Sequence, residues 1–318
     1  MPLPALLQAA LDDYFAHVPL RSVGQASARL TRRYRDGTGA QDDGEAVRAY
    51  LAARLPATYA AVRAVFAEVG RRCPDFAPIT LVDVGAGPGT CLWAAVDTWP
   101  GIAAAELFDN NRQFQEAGRT LVGAAAHPAL KAARWLACDL AGGLPPGESR
   151  DLLSAAYVLN ELHAAARAAL VAQLWERTAG VLVLVEPGTP TGHRHILEAR
   201  ERLIALGAHL VAPCPHGGPC PLTAPDWCHF VQRLNRSKLH RAVKGASLGY
   251  EDEKYSYIAF SRMPAVRVNA RVLRHPTVAR GAIGLTLCTS DGLVARTVRD
   301  RERDDWKSAR KLGWGDGW

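Results

Sequence analysis

The sequence lacks any run of about 20 apolar residues, the length a membrane-spanning helix needs, so no span is expected. Its opening stretch, MPLPALLQAALDDYF, has no basic leader and carries Asp12 and Asp13. It fits neither a secretory signal nor an Arg-rich transit peptide. A cytoplasmic location is expected, or the mitochondrial matrix if the source is eukaryotic. Seven cysteines, an odd number, do not suit a secreted disulfide framework. There is no internal repeat and no low-complexity segment, and a charged fraction of 22% gives no default expectation of disorder. What is present is 318 residues, 48% of them hydrophobic, enough for one large domain with attachments or for two domains.

Basic residues become more frequent towards the end. From Pro190 onward there are 21 Lys and Arg against 12 Asp and Glu, whereas the remainder has 17 against 19. A basic segment joined to a near-neutral one suggests an acidic partner, most often nucleic acid; solubility charge is the plain alternative.

Three regions follow from the patterning. Residues 1–72 are alanine-rich, with apolar residues at helical spacing, as in Tyr50, Leu51, Leu55, Tyr59, Val62, Val65 and Phe66. Pro56 should start or kink a helix there, and Gly37, Gly39 and Gly44 mark a loop before it. Residues 73–263 alternate short apolar runs with helical segments, which predicts a parallel sheet covered by helices. The runs are Ile79–Val84, Ile102–Phe108, Ala132–Ala137, Asp151–Val158, Val181–Val185 and His209–Ala212, with Tyr255–Phe260 after a long interruption. The last two fit a closing antiparallel pair, with a Cys-rich, basic insertion at 213–254 between them. Residues 264–318 read as a small β domain with a basic, Trp-containing tail; Ala265–Leu273, Ala282–Leu287 and Val294–Val298 are its strands. The fold class is therefore α/β: a Rossmann-like sheet with a helical N-terminal part, the insertion and the small β domain.

The segment LVDVGAGPGT, Leu81 to Thr90, is a buried strand entering a glycine turn and then a helix. Gly85, Gly87 and Gly89 permit the turn and let a ligand approach the backbone. The spacing G-x-G-x-G departs from the dinucleotide pattern G-x-G-x-x-G. Asp83 can fix an amino group, which favours S-adenosylmethionine (SAM). Asp109, at the end of the second strand, is placed for ribose hydroxyls, with Glu106 as runner-up. Asp139, after the third strand, is placed for adenine or, equally, to cap the next turn. Asn160 and Glu161 follow the fourth strand and Glu186 ends the fifth, so these side chains can line a methyl-transfer pocket. Asn160 or Glu161 would orient an acceptor. Yet neither an Asn-Pro-Pro-Tyr motif for amines nor a Thr-Cys-Pro nucleophile is present.

Cys214, Cys220 and Cys228 lie within 15 residues in a proline- and glycine-broken stretch. Irregular backbone lets their sulfurs converge, and four thiolates are the usual complement for zinc or an iron–sulfur cluster. Cys288 is the best fourth ligand, with His216 and His229 as alternatives. Cys73, Cys91 and Cys138 read as core residues. Tight C-x2–4-C zinc knuckles are missing, and spacing alone does not choose the metal. Next comes Arg233, Arg236, Lys238, His240, Arg241 and Lys244, ending at Gly245, which reads as a short basic helix suited to phosphates; a solvated face is the bland alternative.

RLPATYAAV (from Arg54), LVDVGAGPGT, YVLNEL (157–162), LVEPGTPTGHRHILEAR (184–200), APCPHGGPCPL (212–222), YSYIAFSR (255–262) and LCTSDG (287–292) together resemble the methyltransferase-like small-ribosomal-subunit proteins. That family includes a mitochondrial ribosome assembly factor and its bacterial relatives. The resemblance implies a SAM-methyltransferase fold and a [4Fe-4S] cluster on Cys214, Cys220, Cys228 and Cys288, with zinc as the alternative. It also implies the small ribosomal subunit and its rRNA as partner, with no membrane and a monomer expected. Methyl transfer itself is doubtful in that family, and a non-catalytic RNA-binding scaffold or a small-molecule or protein methyltransferase with structural zinc are the other readings.

Overall fold

The computed structural model describes residues 1–36, 44–123, 125 and 127–318, without the side chains of 30–36. The anticipated loop glycines Gly37 and Gly39 lie outside the described residues, and Gly44 begins a helix. Four helices come first: α1 (Ala5–Tyr14), α2 (Leu20–Asp36), α3 (Gly44–Ala53) and α4 (Leu55–Arg72). Pro56 lies in the first turn of α4, where its missing N–H costs nothing. The helix turns Leu55, Tyr59, Val62, Val65, Phe66 and Val69 inward, all buried.

The central layer alternates as the apolar runs suggested. It comprises β1 (Thr80–Val84), α5 (Thr90–Thr98), β2 (Ala104–Asp109), α6 (Arg112–Gly123), α7 (Pro128–Lys131), β3 (Arg134–Ala137), β4 (Arg150–Ala156), α8 (Ala164–Glu176), β5 (Thr178–Pro187), α9 (Pro190–Ala205) and β6 (His209–Ala212). The insertion adds β7 (Phe230–Asn235) and α10 (Lys238–Lys244), and β8 (Tyr250–Ser261) closes the sheet. The strand order is β3-β2-β1-β4-β5-β8-β6, with β7 also paired to β8. The first five strands are parallel, and β8 runs antiparallel to β5, β6 and β7. This is the Rossmann-like methyltransferase topology, and the closing pair is His209–Ala212 against β8 as expected. Val82, Val84, Leu153 and Leu182 face α8 and α9 on one side; Leu81, Leu152, Val181 and Val183 face the N-terminal helices and α5 on the other. Burial on both faces explains why these strands read as continuous apolar runs.

Two expectations need correction. The basic stretch from Arg233 to Gly245 is not one helix. Arg233 belongs to β7, opposite Asp252 of β8, and the helix starts only after Ser237, whose hydroxyl caps it by accepting from His240 N at 3.1 Å. Phe230 and Leu234, both buried, anchor β7, so ladder pairing and tertiary burial override the local helical reading. The expected strand Ala265–Leu273 shrinks to β9 (Ala270–Val272). It joins β10 (Thr277–Ala279), β11 (Ala282–Thr289) and β12 (Gly292–Arg299) in a four-stranded antiparallel sheet, and the tail contains α11 (Arg303–Ala309).

Candidate functional site

The glycine turn follows β1 at the carboxyl edge of the sheet, where ligands bind in such folds. Gly85, Gly87 and Gly89 all have positive φ, at 65°, 53° and 79°. An added Cβ at Gly87 would meet nothing within 4 Å, so this backbone is open to an approaching ligand. Asp109 ends β2 and holds the turn: its carboxylate accepts from Gly87 N at 2.7 Å and from Asn111 N at 2.8 Å. Asp83 is fully buried. Its Oδ1 accepts from Ser154 Oγ at 2.7 Å, while Oδ2 has no partner. Burial pushes its carboxyl up to about 7.

Glu186, at the end of β5, is also fully buried. Its Oε1 accepts from Leu159 N at 2.9 Å, which ties down the short 3-10 turn carrying Asn160 and Glu161; Oε2 has no partner. Burial, with repulsion from Glu161, pushes the Glu186 carboxyl up to about 8. Glu161 is open to solvent on one side, but the protein packed around it and the nearby Asp109 charge raise it to about 7. Asp83, Asp109, Glu161 and Glu186 thus gather at one sheet edge. Asp139 is exposed and caps the turn after β3, accepting from Ala141 N at 3.0 Å; Glu106 pairs with Arg134, Arg150 and Arg177 instead of facing the turn.

Sequence reasoning missed Tyr157, Arg54 and Glu253. Tyr157, just past β4, has φ 62° without being glycine, a conformation that costs about 1–3 kcal/mol and clusters at ligand sites. Its hydroxyl donates to Glu253 Oε1 at 3.1 Å. Glu253 also takes a two-pronged ion pair from Arg54, at 2.8 and 3.0 Å. No spacing rule links Arg54 to Glu253, which come together only when α4 packs on β8.

A second site lies between the sheets. Cys214, Cys220, Cys228 and Cys288 line one cavity, and all four are free thiols. They come from the loop after β6, the approach to β7, and β11. Burial raises the Cys228 thiol well above its ordinary value, and the other three sulfurs add repulsion to its anionic form. Cys288 is raised to about 12 by burial, then by Cys214 and Cys220. His216 lines the same cavity, with Nε2 3.7 Å from Cys288 Sγ. His229 instead stacks on Trp227 and meets Trp314 edge-on. Among the described residues no three His, Cys, Asp or Glu are gathered tightly enough to hold a single metal ion.

The basic residues divide into two groups. Arg233 pairs with Asp252 at 2.7 Å and lies over the Tyr250 ring. Arg236 and Lys244 both pair with Glu251, at 3.1 and 2.5 Å, and buried His240 stands 3.2 Å from it. Lys238 and Arg241 are exposed on α10 with no ion pair among the described residues. Of the five expected contacts, only these two have no acidic partner among the described residues.

Comparison with known proteins places these features in context. A family model described as mitochondrial small ribosomal subunit Rsm22 matches residues 44–318. The human mitochondrial ribosome assembly protein METTL17 is 30% identical over 295 residues, covering 84% of this chain and 61% of that protein. An Rsm22-cox11 tandem protein of Schizosaccharomyces pombe is 26% identical over 181 residues, covering 43% of this chain and 24% of its own length. The chain thus spans less than two thirds of these relatives. Among solved structures, magnesium protoporphyrin IX methyltransferase from Synechocystis, with bound SAM, is 12% identical, covers 81% of this chain and 97% of its own, and has a TM-score of 0.44. An O-methyltransferase family protein from Burkholderia thailandensis is 12% identical, covers 70% and 61%, and has a TM-score of 0.43.

Proposed function

The chain belongs to the Rsm22 family of mitochondrial small-ribosomal-subunit proteins, and on that premise we propose that it is a SAM-binding, iron–sulfur protein acting on the small ribosomal subunit during assembly. The observation that carries the cluster is the convergence of Cys214, Cys220, Cys228 and Cys288 on one cavity from three separated segments. Four thiols brought to one cavity repel one another once ionised, and a bound cation relieves that repulsion. A single zinc ion needs its sulfurs about 2.3 Å from one point. A four-iron cluster meets each thiolate at a different iron, which suits four cysteines brought to one cavity from separate segments. Bound there, the cluster would supply a cross-link between the large sheet and the C-terminal one.

The fit to SAM rests on Asp83. Its buried, unpartnered Oδ2 is the kind of acceptor a ligand ammonium satisfies. The open backbone at Gly87 leaves room for the methionine part of the ligand, and Asp109 is available to ribose hydroxyls from the carboxylate that already holds the turn. Asp139 is proposed to lie near adenine while keeping its capping bond. SAM supplies an activated methyl group when bound. Asn160 and Glu161 would orient an acceptor at the edge of the pocket, with Glu186 holding their turn rigid.

A second reading, binding without methyl transfer, is favoured by one feature. Tyr157, beside the acceptor side of the pocket, is committed to Glu253 and Arg54, and no acceptor motif accompanies it. For the partner, Lys238 and Arg241 are the proposed phosphate contacts, with Arg233, Arg236 and Lys244 supporting the surface through their ion pairs.

Anaerobic purification tests the cluster: absorbance at about 400 nm with four-iron stoichiometry is expected, and a colourless protein with one zinc would rule it out. Calorimetry with SAM tests the pocket. Crosslinking in cells, with sequencing of bound RNA, is expected to recover small-subunit rRNA. Recovery of no ribosomal RNA would remove the assembly role.

A further inference from the structure

The four-cysteine cavity is also lined by two arginines, Arg200 of α9 and Arg271 of β9. Both are almost fully buried, at 3% and 1% exposure. Such burial of a guanidinium is costly unless its charge and all its donors are used. Arg200 gives Nη2 to the carbonyls of His216 and Gly218, at 2.9 and 2.6 Å, which shapes the loop between Cys214 and Cys220. Arg271 gives Nε to Pro213 O at 2.7 Å and Nη1 to Glu68 and to Gly315 O, both at 2.8 Å. Two donors remain: Arg200 Nε and Arg271 Nη2 are buried and have no partner.

Their placement gives these donors a direction. Arg271 lies directly opposite Cys288 in the β9–β11 ladder, so the two side chains share a face of that sheet. The negative charge of Glu68 is already shared with Arg71 and Arg72, which leaves part of the Arg271 charge uncompensated. Four thiolates around a four-iron core carry a net negative charge, and hydrogen bonds and charge near the sulfurs tune such a group.

Resting on the cluster reading above, we propose that Arg200 and Arg271 are positioning residues for the cluster: each donates its unpartnered N–H to a cluster or cysteine sulfur and offsets its negative charge. Neither is a ligand to iron. Together they hold the site ready for an anionic group, stabilise the more reduced state, and slow loss of the cluster. The two sit on opposite structural units, α9 of the large sheet and β9 of the small one, so the same bonds favour the assembled arrangement.

The test uses the full chain, purified anaerobically as wild type, Arg200→Gln, Arg200→Lys and Arg271→Gln. The readouts are iron content, an electron-paramagnetic-resonance redox titration, and decay of visible absorbance in air. Each Gln variant is expected to lower the reduced-to-oxidised ratio at a fixed potential about tenfold, which is about 59 mV for a one-electron couple, and to speed absorbance decay several-fold. Arg200→Lys keeps the charge and is expected to shift the ratio less than Arg200→Gln. If Arg271→Gln fails to fold, by circular dichroism, the Arg200 pair decides. Wild-type protein that holds four irons alongside variants with an unchanged ratio and decay would overturn the arginine proposal while leaving the cluster intact. Iron-free wild type would overturn both at the level of the cluster.

Discussion

Asp109 Oδ2 accepts the backbone N–H of Gly87 at 2.7 Å, so the acid at the end of β2 fixes the middle of the glycine turn. The same carboxylate has Asn111 N as its other partner. Replacing Asp109 with Ala removes a charged acceptor from two N–H groups, and hydrogen bonds to charged groups contribute about 1.5–3 kcal/mol each. We expect SAM affinity to fall at least about tenfold, measured by calorimetry. Unchanged affinity would separate Asp109 from the ligand.

Among the turn glycines, Gly85→Ala should cost more stability than Gly87→Ala. Both positions have positive φ, which costs about 1–2 kcal/mol for any residue with a Cβ. At Gly85 the new Cβ would also lie 2.6 Å from Val158 Cγ2, whereas at Gly87 it meets open space. Denaturant midpoints of the ligand-free protein compare the two directly.

Asp83 and Glu186 make the ligand-free fold sensitive to alkali. Their folded values, about 7 and about 8, lie above unfolded values of about 4. The unfolded chain therefore releases these protons first, and stability falls as pH rises from about 4 to about 8. Asp83→Asn keeps an acceptor for Ser154 and should flatten this fall, by on the order of a few kcal/mol at the alkaline end. For the wild type, SAM binding should tighten as pH rises through about 7, because Asp83 must ionise to meet an ammonium. Parallel pH profiles of Asp83→Asn and wild type would discard this account.

Glu251 behaves in the opposite sense. Burial alone would raise its carboxyl, but hydrogen bonds from His240 and Lys244 hold it well below the usual carboxylate range. Its stabilisation is present above the unfolded value of about 4 and is lost as pH falls through the lower folded value. Glu251→Gln should destabilise the fold by about 1–3 kcal/mol, because it removes the carboxylate charge that Arg236 and Lys244 share and turns one of its two acceptor oxygens into a donor. By contrast, Lys238→Glu with Arg241→Glu should leave thermal stability unchanged and weaken RNA binding with a shallower salt dependence. If those charge reversals leave filter-binding curves unmoved, α10 is not the contact.

Removing the metal should loosen the C-terminal sheet more than the large one. Cys288 comes from β11, while Cys214 and Cys228 flank β6 and β7, so a metal group held as proposed would couple the two sheets. After chelation, hydrogen exchange should quicken in β9–β12 and stay slow in β1, β4 and β5. Cys288→Ser should reproduce the pattern.

The parallel sheet, its closing antiparallel pair, the glycine turn and the four cysteines were legible in the sequence, because each depends on local period, turn chemistry or a donor type. A strand buried on both faces must be apolar throughout, and a turn with positive φ calls for glycine; both leave a mark on the chain itself. The boundary between β7 and α10 was not legible, because ladder pairing with β8 and the burial of Phe230 and Leu234 outweigh local propensity. Nor was the neutralisation of Arg236 and Lys244, since Glu251 reaches them only when β8 folds back. The sequence alone determined which side chains were available for a SAM pocket and a thiolate site. Only the tertiary structure decided which charges stay free, which acids share one edge, and that Arg200 and Arg271 face the same cavity as the cysteines, because burial and long-range contact set those properties and no local pattern encodes them.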